Sequence, residues 1–108
     1  MIDFHTTPET ALPNFKDGDG TFFARFAGDG NCKILLGRLP AGATIGLHTH
    51  EDTAEIIFFL SGSGRMILDG VTETIVTGLC HYCPKGSAHT MLNDGDEDIT
   101  FYAVVPKQ

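Results

Sequence analysis

The sequence contains no tryptophan, few basic side chains and no long apolar run. No stretch approaches the eighteen or so apolar residues that a membrane-spanning helix needs. The first eight residues have neither the basic nor the apolar region of a secretory signal. Seven lysines and arginines against 14 aspartates and glutamates give a net charge of -7, which opposes binding to phosphate backbones and anionic lipids. We therefore expect neither nucleic-acid nor membrane partners.

Cysteine is also scarce, because the chain has only three. An odd number does not build a disulfide framework, and it favours a reduced, cytoplasmic protein. Cys80 and Cys83 form a C-x-x-C string. Residues three apart in a strand point to opposite faces, so these two thiols should not meet. Cys32 is expected in the core, and the string itself assigns no function to Cys80 or Cys83.

Glycine, in contrast, is abundant, with 13 residues beside five prolines. Turn-forming groups separate eight or nine short apolar segments from Thr21 onward, and Asp69-Gly70 is a preferred loop for a type I′ hairpin. A chain of 108 residues forms one domain. We predict an N-terminal arm over residues 1–20 and one all-β domain over residues 21–108, closed into a jelly-roll barrel that hides its sheet edges.

Three histidines and one glutamate are candidate metal ligands. His48 and His50 are two apart in an extended segment, so both imidazoles leave one face about 6.6 Å apart at the backbone. On a continuous strand Glu55 would face the opposite way, but the intervening turn allows it to begin the next strand and face back. His89 follows a Pro/Gly turn. Such a ligand set suits one divalent Fe, Mn, Ni, Zn, Cu or Co ion.

These residues lie in two blocks that resemble the two motifs of the cupin superfamily, with every fixed position filled. The short segment between the blocks is similar to that of small single-domain microbial cupins. The resemblance implies a double-stranded β-helix barrel, with His48, His50, Glu55 and His89 as the metal ligands inside it. The matching positions are Gly42, His48, His50, Glu55, Gly62, Gly78, Pro84, Gly86, His89 and Asn93.

The alternation of side chains along strands extends this site into a cavity. Residues that share the parity of Glu55 or His89 should face inward with them. In the last segment either Phe101 and Ala103 or Tyr102 and Val104 face inward, and we favour the first pair because a small alanine leaves room for a ligand. His5 and His81 are expected to be surface or hydrogen-bonded histidines. The expected cavity lining is Ile57, Phe59, Tyr82, Met91, Phe101 and Ala103.

A divalent ion held in this way keeps a net positive charge and should prefer small ligands that chelate through oxygen atoms. No lysine, serine or second carboxylate is placed inward by the pattern, so acid–base chemistry would rely on metal-bound water, Tyr82 or His81. The resemblance implies a metal-dependent enzyme on a small oxygen-rich metabolite, either a dioxygenase or a sugar or acid isomerase or lyase. The alternative is a non-catalytic cupin that binds a sugar or metabolite as a sensor or accessory module.

The apolar residues that face outward bear on assembly. Ile56 and Phe58 have the opposite parity to Glu55, so Phe58 should lie on the outer face of the barrel. An aromatic side chain there needs cover, either from the N-terminal arm or from a second subunit. Cupins commonly dimerise through such a sheet face, and we therefore expect a homodimer.

Overall fold

The computed structural model describes all 108 residues and contains ten strands, two short 3-10 turns and no α-helix. The turns span Phe4–Thr6 and Phe15–Asp17. No helix in it could span a bilayer. The strands are β1 (Thr10–Pro13), β2 (Thr21–Gly28), β3 (Cys32–Leu39), β4 (Thr44–Thr49), β5 (Glu55–Ser61), β6 (Gly64–Leu68), β7 (Val71–Ile75), β8 (Cys80–Cys83), β9 (Ala88–Leu92) and β10 (Ile99–Pro106).

The strands form two antiparallel sheets. One sheet has six strands in the order β1-β2-β3-β10-β5-β8, and the other has four in the order β4-β9-β6-β7. Several neighbours, such as β3 with β10 and β4 with β9, are distant in sequence, as in a jelly roll, and the all-β double-stranded β-helix predicted from the sequence is confirmed. Asp69 and Gly70 have φ angles of 47° and 82°, as the predicted type I′ hairpin between β6 and β7 requires.

The core lies between the two sheets and follows from side-chain alternation. Along β10, Phe101 and Ala103 are buried, whereas Tyr102 between them is exposed. Phe101 stacks on Phe22 of β2 with ring centroids 5.7 Å apart. The buried cluster comprises Phe22, Ala24, Leu35, Leu39, Ala43, Ile45, Ile57, Phe59, Met66, Ile75, Met91, Ile99, Phe101 and Ala103.

Residues 1–20, expected as an arm, pack onto the barrel and add β1 to the edge of the six-stranded sheet. Arg25 of β2 donates a hydrogen bond to the main-chain oxygen of Thr7 at 2.5 Å. Phe15 packs against Phe22 with ring centroids 5.4 Å apart, so one of the two arm aromatics joins the core edge. These contacts hold the segment against the mouth of the barrel.

The outer face of the six-stranded sheet carries several exposed apolar side chains. Phe58, Leu60, Tyr82 and Tyr102 are 47%, 42%, 55% and 39% exposed. Phe4 of the arm packs on Tyr102 with ring centroids 5.8 Å apart. The arm therefore covers part of this face, while Phe58 stays half exposed within the single chain.

Candidate metal centre

The four residues that the sequence singled out as ligands come together between the two sheets. One nitrogen or oxygen atom from each of His48, His50, Glu55 and His89 lies within 4.8 Å of the others. His48 in β4 is paired directly with His89 in β9. The turn after His50 carries the chain to the other sheet, where Glu55 begins β5 and faces back toward the histidines.

The ligand atoms of three of these residues nearly touch. Nε2 of His50 lies 3.0 Å from Nε2 of His89 and 3.1 Å from Oε1 of Glu55. Nε2 of His89 lies 3.0 Å from the same carboxylate oxygen. Two ligands at right angles, each about 2.1 Å from one ion, are about 3.0 Å apart, so this spacing fits a first-row metal ion. The cluster could therefore hold such an ion.

The ring nitrogens that face away from this cluster are all hydrogen-bonded. His48 donates from Nδ1 to the main-chain oxygen of Gly46 at 2.7 Å. Nδ1 of His50 pairs with Thr53 Oγ1 at 2.8 Å, and Nδ1 of His89 lies 2.9 Å from Nε2 of His81. With each Nδ1 engaged in this way, each Nε2 is directed at the shared space, as metal-binding imidazoles require.

Burial and hydrogen bonding act in opposite directions on the pKa values of Glu55 and His48. Burial alone would raise the pKa of Glu55, but the imidazoles of His50 and His89 beside the carboxylate outweigh it and lower the pKa to about 2. Burial lowers the pKa of His48, which the Gly46 carbonyl only partly offsets. The centre therefore combines an ionised carboxylate with an imidazole whose neutral, metal-binding form is favoured.

A cavity of about 390 Å³ opens from this cluster to solvent. All four candidate ligands contribute to its wall. Most of the remaining inner wall is apolar, which is typical of a site for a small molecule held by few polar contacts. The apolar lining residues are Phe15, Phe22, Phe26, Leu35, Ile45, Ile57, Met66, Met91, Phe101 and Val105.

Five of the six residues expected to line the cavity point into the barrel, and three reach the cavity wall. Ile57, Met91 and Phe101 line it. Phe59 is buried four residues beyond Glu55, about 13 Å along the strand, where it packs against Phe101 with ring centroids 6.4 Å apart. Ala103 is buried too, but it is not part of the wall. Both residues belong to the core beside the cavity.

The prediction for Tyr82 is wrong, because its side chain is 55% exposed on the outer face. The register explains the difference. In the pairing of β5 with β8, Ile57 lies opposite His81, and both share the inward face with Glu55 and Cys83. His81 is consequently buried and hydrogen-bonded, one of the two environments expected for it, and it lies behind His89 without lining the cavity. Neither side chain is available to a bound ligand.

The mouth of the cavity carries charged residues that the sequence pattern did not reveal. Lys16, Lys33, Glu51 and Asp52 are exposed and line the cavity. A Cβ atom on Gly46 would lie 1.9 Å from the main-chain oxygen of Lys16, so the absence of a side chain there lets the arm approach β4 closely. Lys16 belongs to the arm and Lys33 to β3, and only the folded chain places them at one opening.

The cysteines are unpaired, and the C-x-x-C string is not a redox pair in this structure. Cys80 is exposed and Cys83 is buried, on opposite faces of β8 as predicted. Burial raises the pKa of the Cys83 thiol to about 11, which makes it unreactive near neutral pH. Free thiols are compatible with the reducing compartment expected from the sequence, while the cytoplasmic location itself stays a prediction.

The chain is similar to known proteins in sequence and in fold. An oxalate-binding protein of Thermotoga maritima is 35% identical over 68 residues, which are 63% of this chain and 56% of that relative. The match thus spans little more than half of the relative's length. Among solved structures, a predicted oxalate decarboxylase from Thermotoga maritima superposes with a TM-score of 0.94 at 24% identity, covering 100% of this chain and 99% of that one. An RmlC-like cupin from Shewanella frigidimarina gives 0.83 at 10% identity, covering 100% and 90%.

The likeness to these structures shows the fold, and the family follows from the sequence. The model of the cupin domain family matches residues 35–105, well over half of the 108 residues. This segment contains all four candidate ligands, strands β4 to β9 in full and most of β3 and β10. The chain belongs to the cupin domain family.

Proposed function

We propose that this chain holds one divalent transition metal ion through His48, His50, Glu55 and His89, and through it binds a small oxygen-rich ligand. The observation that carries the proposal is the convergence of three imidazoles and an ionised carboxylate at the wall of a cavity open to solvent. When bound, the ion would act as a Lewis acid toward oxygen atoms of the ligand.

Oxalate is the first candidate ligand. It chelates metals through two carboxylate oxygens, and it is the ligand in the name of the relative that is 35% identical. An anion also fits the charge of the site, because a doubly charged ion with one carboxylate ligand keeps a net positive charge. Lys16 and Lys33 at the mouth add to this attraction, although Glu51 and Asp52 nearby reduce it.

Conversion of the bound ligand separates the two functions that the sequence left open. An enzyme of the dioxygenase, isomerase or lyase type would change the ligand, whereas a sensor or accessory cupin would only retain it. One observation favours retention. Apart from the four ligands, the ionisable groups of the cavity wall are the exposed residues at its mouth, so no further acid or base lines the inner wall.

We expect oxalate to bind the metal-loaded protein with a 1:1 stoichiometry, and at least tenfold more weakly to the metal-free protein. Untagged protein loaded with Mn(II) or Co(II) would be titrated by calorimetry, with acetate as a comparison ligand that has one carboxylate and so cannot chelate as oxalate does. Release of CO₂ or formate, or consumption of oxygen by the Fe(II) and Mn(II) forms, would identify an enzyme. Equal affinity of the two protein forms for oxalate would contradict a metal-linked ligand site.

A pair of lysine variants provides the control for this titration. Lys33→Gln removes a positive charge at the mouth and should weaken oxalate binding about two- to fivefold, since an exposed ion pair contributes up to about 1 kcal/mol. Lys85→Gln makes the same change on an exposed residue that does not line the cavity, and the affinity should not change.

We also propose that two chains associate through the outer face of the six-stranded sheet. The support is the exposed apolar group that includes Phe58 and Tyr82, which the arm does not cover. Light scattering after size exclusion should give twice the chain mass of 11.6 kDa. Phe58→Lys should yield monomers, while Leu47→Lys, at an apolar residue 68% exposed in the other sheet, should leave the dimer intact. A monomeric wild-type protein would rule out this assembly.

A further inference from the structure

A chain of hydrogen bonds runs from the candidate ligand His89 to the protein surface. Nδ1 of His89 lies 2.9 Å from Nε2 of His81, and Nδ1 of His81 lies 2.6 Å from Oε1 of Glu73. His81 and His89 are 3% and 2% exposed, whereas the side chain of Glu73 is 44% exposed. The two imidazole rings stack with an angle of 16° between their planes.

These hydrogen bonds form where the edges of the two sheets meet. His81 lies in β8, the edge strand of the six-stranded sheet, and Glu73 lies in β7, the edge strand of the other. Glu73 is paired with the buried Met66, so its side chain starts on the inward face of its sheet. Since β7 is an edge strand, the carboxylate can reach His81 and still contact water.

The chemistry of the three groups determines which nitrogen of each imidazole carries the proton when both rings are neutral. A carboxylate only accepts, so Nδ1 of His81 donates to Glu73. Nε2 of His81 then carries no proton and accepts from Nδ1 of His89. Nε2 of His89 is left with its lone pair directed at His50 and Glu55, where a metal ion would lie.

We propose that His81 and Glu73 are positioning residues that hold His89 in the tautomer and ring orientation that bind the metal. This inference rests on the proposed metal centre. Metal-binding histidines usually donate their second nitrogen to a carboxylate or carbonyl, and loss of such a partner costs roughly 10- to 100-fold in metal affinity. Here the imidazole of His81 lies between the ligand His89 and the carboxylate of Glu73. The two hydrogen bonds link the negative charge at the surface to the buried ligand.

The test measures the affinity for Co(II) by competition with a chromophoric chelator. His81→Leu removes the acceptor for His89 and should weaken binding about 10- to 100-fold. His81→Gln offers an amide oxygen as a replacement acceptor and should recover most of the affinity. Glu73→Gln keeps an acceptor for His81 but removes the charge, so we expect a loss of a few fold. Glu97→Gln, the same change at an exposed carboxylate without a hydrogen bond or ion pair, should have no effect.

A second readout separates positioning from a merely structural role. In the Co(II) protein the Nδ1 proton of His89 should give a paramagnetically shifted NMR signal that exchanges slowly with water. The signal should persist in His81→Gln and be lost through fast exchange in His81→Leu, even where both variants have the same free energy of unfolding. A structural role alone predicts altered stability with an unchanged signal.

The wild-type titration keeps the two proposals distinguishable. If the wild-type protein binds no divalent metal, the proposed metal centre fails and this inference fails with it. If the wild-type protein binds Co(II) and His81→Leu binds within twofold of it, the metal centre stands and the positioning role is overturned. The same conclusion follows if His81→Gln is as impaired as His81→Leu while both are fully folded.

Discussion

A protein in which His48 and His89 are both replaced by alanine is expected to bind no divalent metal, against one ion per chain in the wild type. The double substitution removes two of the four atoms that converge in the centre, and the remaining His50 and Glu55 cannot enclose an ion. Metal content of untagged protein, measured by mass spectrometry after dialysis against the ion, gives the comparison directly.

The same substitution should abolish the stabilisation that metal provides. A ligand that binds only the folded state at 100 times its Kd raises the free energy of unfolding by about 2.7 kcal/mol. The wild type should therefore melt at a higher temperature with metal than with a chelator, while the double variant should melt at one temperature in both. His5→Ala removes an exposed histidine outside the cluster and should behave as wild type. A double variant that keeps one ion per chain would show that the ligands have been wrongly assigned.

Asn93→Asp should lower the free energy of unfolding by roughly 3 kcal/mol, although the two side chains have the same shape. Asn93 is 2% exposed, and its amide group donates at 2.8 Å to the main-chain oxygens of Leu39 and Glu97. An aspartate presents oxygen in place of both donors, so two carbonyl groups lose their partner and a buried carboxylate faces them. For a domain of this size the melting temperature should fall by roughly 10 to 20 °C.

The pH dependence and a control identify the cause of this loss. An unpaired buried carboxylate has its pKa raised by folding, so the destabilisation should be full above that raised pKa, should lessen as the pH falls through it toward about 4, and should be smallest below about 4. Asn31→Asp changes an exposed asparagine whose side chain makes no hydrogen bond, and it should cost less than about 0.5 kcal/mol. A loss below about 1 kcal/mol in Asn93→Asp would mean that these hydrogen bonds contribute little.

The role of Asn93 illustrates what a motif position does and does not reveal. The spacing of the second block places Asn93 beside His89 in the resemblance to cupins, but it assigns no task to the side chain. In the folded protein its amide joins the end of β3 to the loop before β10, and its own oxygen accepts from Gly95. Its task is therefore structural, and it is not one of the four candidate ligands.

The fold and the four ligands were accessible from the sequence because each depends on local rules. Strand segments follow from short apolar runs and turn residues, and the Asp69-Gly70 hairpin follows from the φ angles that its loop demands. The two-residue spacing puts His48 and His50 on one face of the chain whatever the partner strand is. The turn after His50 then returns Glu55 to the same space.

Strand register decided what the local rules left open. Alternation shows that His81 and Tyr82 lie on opposite faces of β8, but it does not show which face is inward. The pairing of Ile57 with His81 settles that question and makes His81 the neighbour of His89. Glu73 and Lys16 join the site only after the two sheets have closed, because Glu73 lies in an edge strand and Lys16 in the N-terminal segment. The sequence by itself determined the barrel and its candidate metal ligands, whereas the contacts between sheets determined the surroundings that tune those ligands and admit a bound molecule.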